Sequence, residues 1–99
     1  MPAVVGNLRV VRVRAGEAAR FEQLFAGLRE ELRQHEPGCL IYSLLRSRLH
    51  PGSYVIHEQY ADAEMLAVHQ RSPAVAAYIE RMRELLQTVE VEYFDPISE

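Results

Sequence analysis

The segment Glu36-Pro-Gly-Cys-Leu-Ile-Tyr-Ser-Leu-Leu-Arg-Ser-Arg-Leu-His-Pro-Gly-Ser-Tyr-Val-Ile-His-Glu-Gln-Tyr60 holds two runs suited to β-structure, parted by Leu49-His50-Pro51-Gly52-Ser53. Apolar and aromatic residues dominate the first part of 39–48, and 54–60 alternates, so the two runs read as a hairpin. Glu36-Pro37-Gly38 ends whatever precedes them, because proline disfavours helix at the residue before it and glycine frees the backbone to turn. Upstream, over 17–35, Phe21, Leu24, Phe25, Leu28 and Leu32 recur at helical spacing with charges elsewhere, which predicts a helix. Before that helix, residues 4–13 are dense in valine and stop at Ala15-Gly16, a strand and its turn.

Downstream of the hairpin, Asp62 is a candidate N-cap for a short helix over 63–70. Ser72-Pro73 repeats the signal, since serine caps orphan amides and proline fits the first helical turn. The helix it opens carries Val75, Tyr78, Ile79, Met82, Leu85 and Leu86 on one stripe, and 88–94 reads as a last strand. The order is β-α-β-β-α-β with the second helix broken in two. It predicts an α+β, ferredoxin-like domain spanning 1–99, with an antiparallel sheet and its helices on one face.

The 99 residues carry 48% apolar and 25% charged side chains, an ordinary globular composition for one domain. Eleven arginines against fourteen acidic residues leave a net charge of -3, which argues against counterion-driven nucleic-acid binding. One cysteine, Cys39, permits no intrachain disulfide and no C-x-x-C metal knuckle, and its apolar setting reads as a small buried hydrophobe. No apolar stretch approaches a membrane span, and the first seven residues lack a signal-peptide pattern, so a cytoplasmic location is expected. Both faces of the strands carry apolar side chains: Leu40, Tyr42 and Leu44 alternate with Cys39, Ile41 and Leu45, and Val5, Val11 and Val13 with Val4, Leu8 and Val10. A face left in water would form a large apolar patch, so a homodimer packed sheet to sheet is expected.

No phosphate loop, G-x-G-x-x-G, H-E-x-x-H or G-x-S-x-G occurs, so the chain is expected to need neither metal nor organic cofactor. Polar residues instead stud apolar elements: Asn7, His57, Glu58, Tyr60, His69 and Tyr78, the mixture that lines small-molecule pockets.

Glu36-Pro-Gly-Cys-Leu-Ile-Tyr42, His57-Glu-Gln-Tyr-Ala-Asp-Ala-Glu-Met-Leu-Ala-Val-His69 and Ser72-Pro-Ala-Val-Ala-Ala-Tyr78 together resemble the antibiotic biosynthesis monooxygenase superfamily, including its quinol monooxygenase-like members. The chain keeps that pattern's Glu58 and His69, but has Tyr60 where Trp is usual and Ala74 where a second His often sits. The resemblance implies a dimeric α/β barrel with a hydrophobic cavity in each subunit, oxygenating a small aromatic, phenolic or quinol-like substrate with O2 and without flavin or metal. It implies His69 as base, with Asn7 and Tyr60 as hydrogen-bonding groups for a developing oxyanion. Arg9, Tyr42 and Tyr78 are the candidate substrate-binding residues, Arg9 because it shares the parity of Asn7. Structural roles compete: His69 as a helix C-terminal cap, Asn7 at a strand irregularity, Tyr60 and Tyr78 as core aromatics, Glu58 paired with an arginine across the dimer interface. A haem-degrading activity fits less well, lacking the Trp and a His near Tyr78. A non-oxygenase isomerase or metabolite-binding domain shares the same fold.

Overall fold

A computed structural model describes residues 4–97, so the first three residues of the stretch read for a leader lie outside the described residues. Its elements are β1 (Val5–Val13), α1 (Ala18–His35), β2 (Cys39–Arg46), β3 (Ser53–Tyr60), α2 (Ala63–Arg71), α3 (Pro73–Glu84) and β4 (Leu86–Phe94). The four strands form one antiparallel sheet in the order β2-β3-β1-β4. This is the expected ferredoxin-like α+β arrangement.

Antiparallel register puts directly opposed residues on one face of the sheet. Tyr42, Glu58, Asn7 and Tyr93 form one such row across all four strands, and Leu44, Ile56, Arg9 and Val91 the next. This face packs under the helices. Val11, Val13, Tyr42, Tyr54 and Ile56 from the sheet meet Phe21, Phe25, Leu28 and Leu32 of α1 and Val75 and Met82 of α3 in one buried cluster. The stripe read from 3.6-residue spacing in α1 is the stripe that is buried.

Most element ends fall within a residue of the sequence reading, and the larger departures have local reasons. Strand β2 ends at Arg46 rather than 48, because Ser47 Oγ accepts from the amides of Leu49 (3.1 Å) and His50 (2.9 Å) and closes a local turn. Leu85 and Leu86 are not helical: Leu85 caps α3, its carbonyl accepts the Arg14 amide at 2.8 Å, and Leu86 opens β4 opposite Val13. A bulge between Cys39 and Ile41 sets Cys39 opposite Tyr60 and leaves Leu40 between registered pairs. Cys39 therefore packs against the core on the side of Tyr42, whereas simple alternation groups it with Ile41 and Leu45.

Two caps fix the path back over the sheet. Asp62 accepts the Met65 amide at 2.9 Å and Ser72 accepts the Val75 amide at 3.3 Å, with Pro73 in the first turn of α3. Asp62→Ala and Ser72→Ala should each lower unfolding stability by ~0.5 to 2 kcal/mol, read by urea titration. Unchanged midpoints would mean that the caps do not hold α2 and α3 in place.

Candidate functional site

The chemistry gathers where the ends of β1 and β3 pass beneath α2. Glu58 is 1% exposed, in the interior of the sheet on the face under the helices. A carboxylate there is tolerable only if its oxygens are bound. Arg9 Nε donates to Oε2 at 2.9 Å and the Tyr60 hydroxyl donates to Oε1 at 2.6 Å. Arg9 belongs to the same chain and to the adjacent strand, so the expected pairing of Glu58 across a dimer interface is replaced by an intrachain one.

Above this pair lies His69, buried in the last turn of α2. Its ring tilts against Tyr60 (centroids 5.1 Å apart) and Tyr42 (5.8 Å), and Tyr42 in turn stacks on Phe25. Nδ1 lies 2.9 Å from Glu36 Oε1. A carboxylate only accepts, so Nδ1 carries the proton, and in the neutral ring Nε2 keeps its lone pair. Nε2 is 4.0 Å from Glu58 Oε1, beyond hydrogen-bond reach. Glu36 reaches His69 because it caps α1, and because Gly38 lets Met65 of α2 press close against the turn; any β-carbon there would collide with the Met65 side chain. The sequence reading used Glu36 as part of a helix stop and of the family-like segment 36–42 and gave it no role at His69; the signal for that role is spatial, 33 residues from its partner.

Asn7, opposite Glu58, is 1% exposed, and neither its Oδ1 nor its Nδ2 has a protein partner. A buried polar atom left unpaired costs ~1 to 3 kcal/mol, so both amide atoms of Asn7 are open to a partner from outside the protein, a water or a ligand. His69, Tyr60, Asn7, Arg9 and Tyr42 are thus brought together. Tyr78 is not among them: it lies between α3 and α1, against Gly27.

An apolar cavity of about 170 Å³ reaches this cluster through Arg9 and Tyr42 and is otherwise walled by Val11, Phe21, Ile56, Ile79, Met82, Leu86 and Val89, with Arg83 at its edge. His69, Asn7 and Tyr60 do not line it, because the tilted rings of Tyr42 and Tyr60 fill the space beside His69. A larger, more open hollow of about 590 Å³ is lined by Asn7 together with Gly6, Leu8, His57, Gln59 and Phe94, most of them residues of the opposite face. The smaller cavity meets the cluster at Arg9 and Tyr42, and the larger hollow meets it at Asn7. Among the described residues no three of His, Cys, Asp and Glu converge as a metal site.

Burial, then the charge of Glu58, holds the Tyr60 and Tyr42 phenols well above their ordinary value, with Arg9 partly offsetting the effect at Tyr42. Burial, followed by Glu58 and Glu36, pushes the Cys39 thiol up to about 11, which makes it a poor nucleophile. A raised phenol favours the folded state fully below pH ~10, where both states are protonated. Above that the unfolded chain ionises first and the stability drains away as pH climbs toward the folded value. Unfolding free energy should therefore fall between pH 9.5 and 11, and Tyr42→Phe with Tyr60→Phe should flatten the fall; an unaltered slope would mean that these phenols ionise freely (pH bounds about the reference phenol value).

The sequence profile of antibiotic biosynthesis monooxygenases matches residues 4–81. A candidate antibiotic biosynthesis monooxygenase from Caulobacter crescentus CB15 is 30% identical, with a TM-score of 0.92 over 98% of this chain and 92% of its own. SnoaB, a cofactor-independent oxygenase from Streptomyces nogalater, is 25% identical, with a TM-score of 0.86 over 98% of this chain and 96% of its own. A conserved protein from Methanosarcina mazei Go1 shares the fold, at 21% identity and a TM-score of 0.86 over 94% of this chain and 92% of its own. No curated protein sequence matches the chain. With 78 of its 99 residues inside the family profile, and with the fold of a 30% identical structural relative over 98% of its length, the chain belongs to the antibiotic biosynthesis monooxygenase family.

Proposed function

We propose that this protein is a cofactor-independent monooxygenase acting on a small aromatic, phenolic or quinol-like substrate, with His69 as its base. The observation that carries this reading is the setting of His69: buried, its Nδ1 held by Glu36, its Nε2 left with a free lone pair beside a buried polar cluster. Likeness to SnoaB, a cofactor-independent oxygenase, supports it.

Triplet dioxygen reacts slowly with closed-shell organic molecules but accepts an electron from an electron-rich phenolate or dienolate. The protein's task is to make that anion and hold it. His69 Nε2 takes the proton, and Glu36 stabilises the imidazolium that results. The anion passes one electron to O2, and the radical pair recombines to form a C–O bond. At a CH2 carbon activated by the ring, the resulting peroxide loses water to leave a ketone. One oxygen atom ends in the carbonyl and the other in water, and all four electrons come from the carbon, so no external reductant enters. The unpaired amide of Asn7 is the donor available to a developing oxyanion, whereas the single O–H of Tyr60, kept protonated by its surroundings, is already given to Glu58 and would serve an oxyanion only by leaving it. Substrate in the 170 Å³ cavity would meet this cluster past Arg9 and Tyr42; reaching His69 requires the Tyr42 ring to give way.

His69→Ala should lower oxygen uptake with an accepted quinol by ~10² to 10⁴ while the protein stays folded. A variant that loses ~0.5 to 2 kcal/mol of stability and keeps its turnover would show His69 to be a helix cap instead. An isomerase could use the same base; it would turn over its substrate without consuming O2.

The active unit, in this proposal, is a homodimer. On the face away from the helices Leu45, Val55 and Val10 form one cross-strand row, with Ile41 and Leu8 beside it. Leu45 is 57% and Val10 44% exposed, an apolar centre suited to a second sheet. Sedimentation should give about twice the 11.4 kDa chain mass, and Leu45→Glu should yield monomer or loss of fold. Monomeric wild-type protein at micromolar concentration would refute the dimer.

A further inference from the structure

We infer that the substrate is a single-ring aromatic acid, its carboxylate recognised by Arg83 at the rim of the cavity between sheet and helices. This rests on the oxygenase reading only for the identity of the site.

Size argues for one ring. At about 170 Å³ the cavity is close to the ~150 Å³ of an engineered apolar cavity that admits benzene, and far below the ~300 Å³ at which drug-sized pockets begin. Its wall is suited to an aromatic face, with Phe21, Tyr42, Ile56 and Met82 among its residues.

Charge argues for an anion. Two guanidinium groups, Arg9 and Arg83, border this otherwise apolar space, and no Asp or Glu does. Arg9 is already balanced by Glu58, through Nε alone. Arg83 lies exposed on α3, and among the described residues no carboxylate comes within ion-pair distance of it. Several surface arginines lack an ion-pair partner among the described residues, and what sets Arg83 apart is its place against an apolar cavity, where a carboxylate ligand would give it a partner and a neutral ligand would not. A guanidinium binds a carboxylate through two parallel hydrogen bonds, and at the rim the anion keeps part of its hydration, which avoids the full cost of burying a charge.

Three probes test this under anaerobic conditions, where binding is separated from turnover: 2,5-dihydroxybenzoate, its uncharged counterpart hydroquinone, and the two-ring 1,4-dihydroxy-2-naphthoate, each titrated calorimetrically. Dihydroxybenzoate should bind at least ~10-fold tighter than hydroquinone, the scale of one charge-assisted contact, and tighter than the naphthoate. Arg83→Gln should abolish the preference over hydroquinone without changing hydroquinone affinity, and Arg83→Lys should restore part of it. Equal affinity for the benzoate and hydroquinone, or a preference that survives in Arg83→Gln, overturns the recognition of an acid; tighter binding of the naphthoate overturns the single ring. Oxygen uptake measured afterwards on the same samples keeps the two readings apart. Arg83-dependent binding without uptake leaves this inference standing and removes the oxygenase, while uptake of hydroquinone without benzoate selectivity does the reverse.

Discussion

A carboxylate sits under the helices in the interior of the sheet, and much of the site is arranged around that fact. Glu58 can stay there only because Arg9 and Tyr60 occupy its two oxygens. The consequences spread outward. Arg9 is drawn along the sheet to the edge of the apolar cavity, where a cation would otherwise have no reason to be. Tyr60 is locked as a donor, since ionising it beside Glu58 would put two anions in a space without water. Glu58, fully engaged, is poorly placed to act as a base itself, and the free lone pair passes to His69.

His69 depends on a second carboxylate, and the two acids do different work. Glu36 lies in the turn after α1 and fixes which imidazole nitrogen holds the proton. Its reach to α2 exists because the turn and Met65 press together at Gly38, where only a residue without a β-carbon fits. The helix stop that shapes the fold thereby supplies the residue that orients the imidazole. Asn7 completes the group as the member whose hydrogen bonds the protein leaves unmade.

The two faces of the sheet divide the labour. The face under the helices mixes polar residues into an apolar core, which is how a small domain makes a site without an inserted loop. The opposite face is apolar along Leu45, Val55 and Val10 and turns acidic at Glu90 and Glu92 of β4, a pattern with a hydrophobic centre and a charged margin.

Local patterns carried the architecture. The spacing of Phe21, Phe25, Leu28 and Leu32, the stop at Pro37-Gly38, the break at Pro51-Gly52 and the caps Asp62 and Ser72 each act within a few residues, so their consequences can be read from the chain. Polar residues set into apolar elements brought out Asn7, Tyr60 and His69 among six candidates, family resemblance gave those three their roles, and Arg9 followed from its parity with Asn7. Where strict alternation or helical periodicity was extended too far, at Cys39 and at Leu85-Leu86, a bulge and a carbonyl bonded to Arg14 intervened, and both depend on a neighbouring strand. The partner of Glu58, the role of Glu36 and the separation of Tyr78 from the cluster were invisible for the same reason. Each is set by contact between elements tens of residues apart, and a sequence fixes such contacts only through the whole packing of helices on sheet.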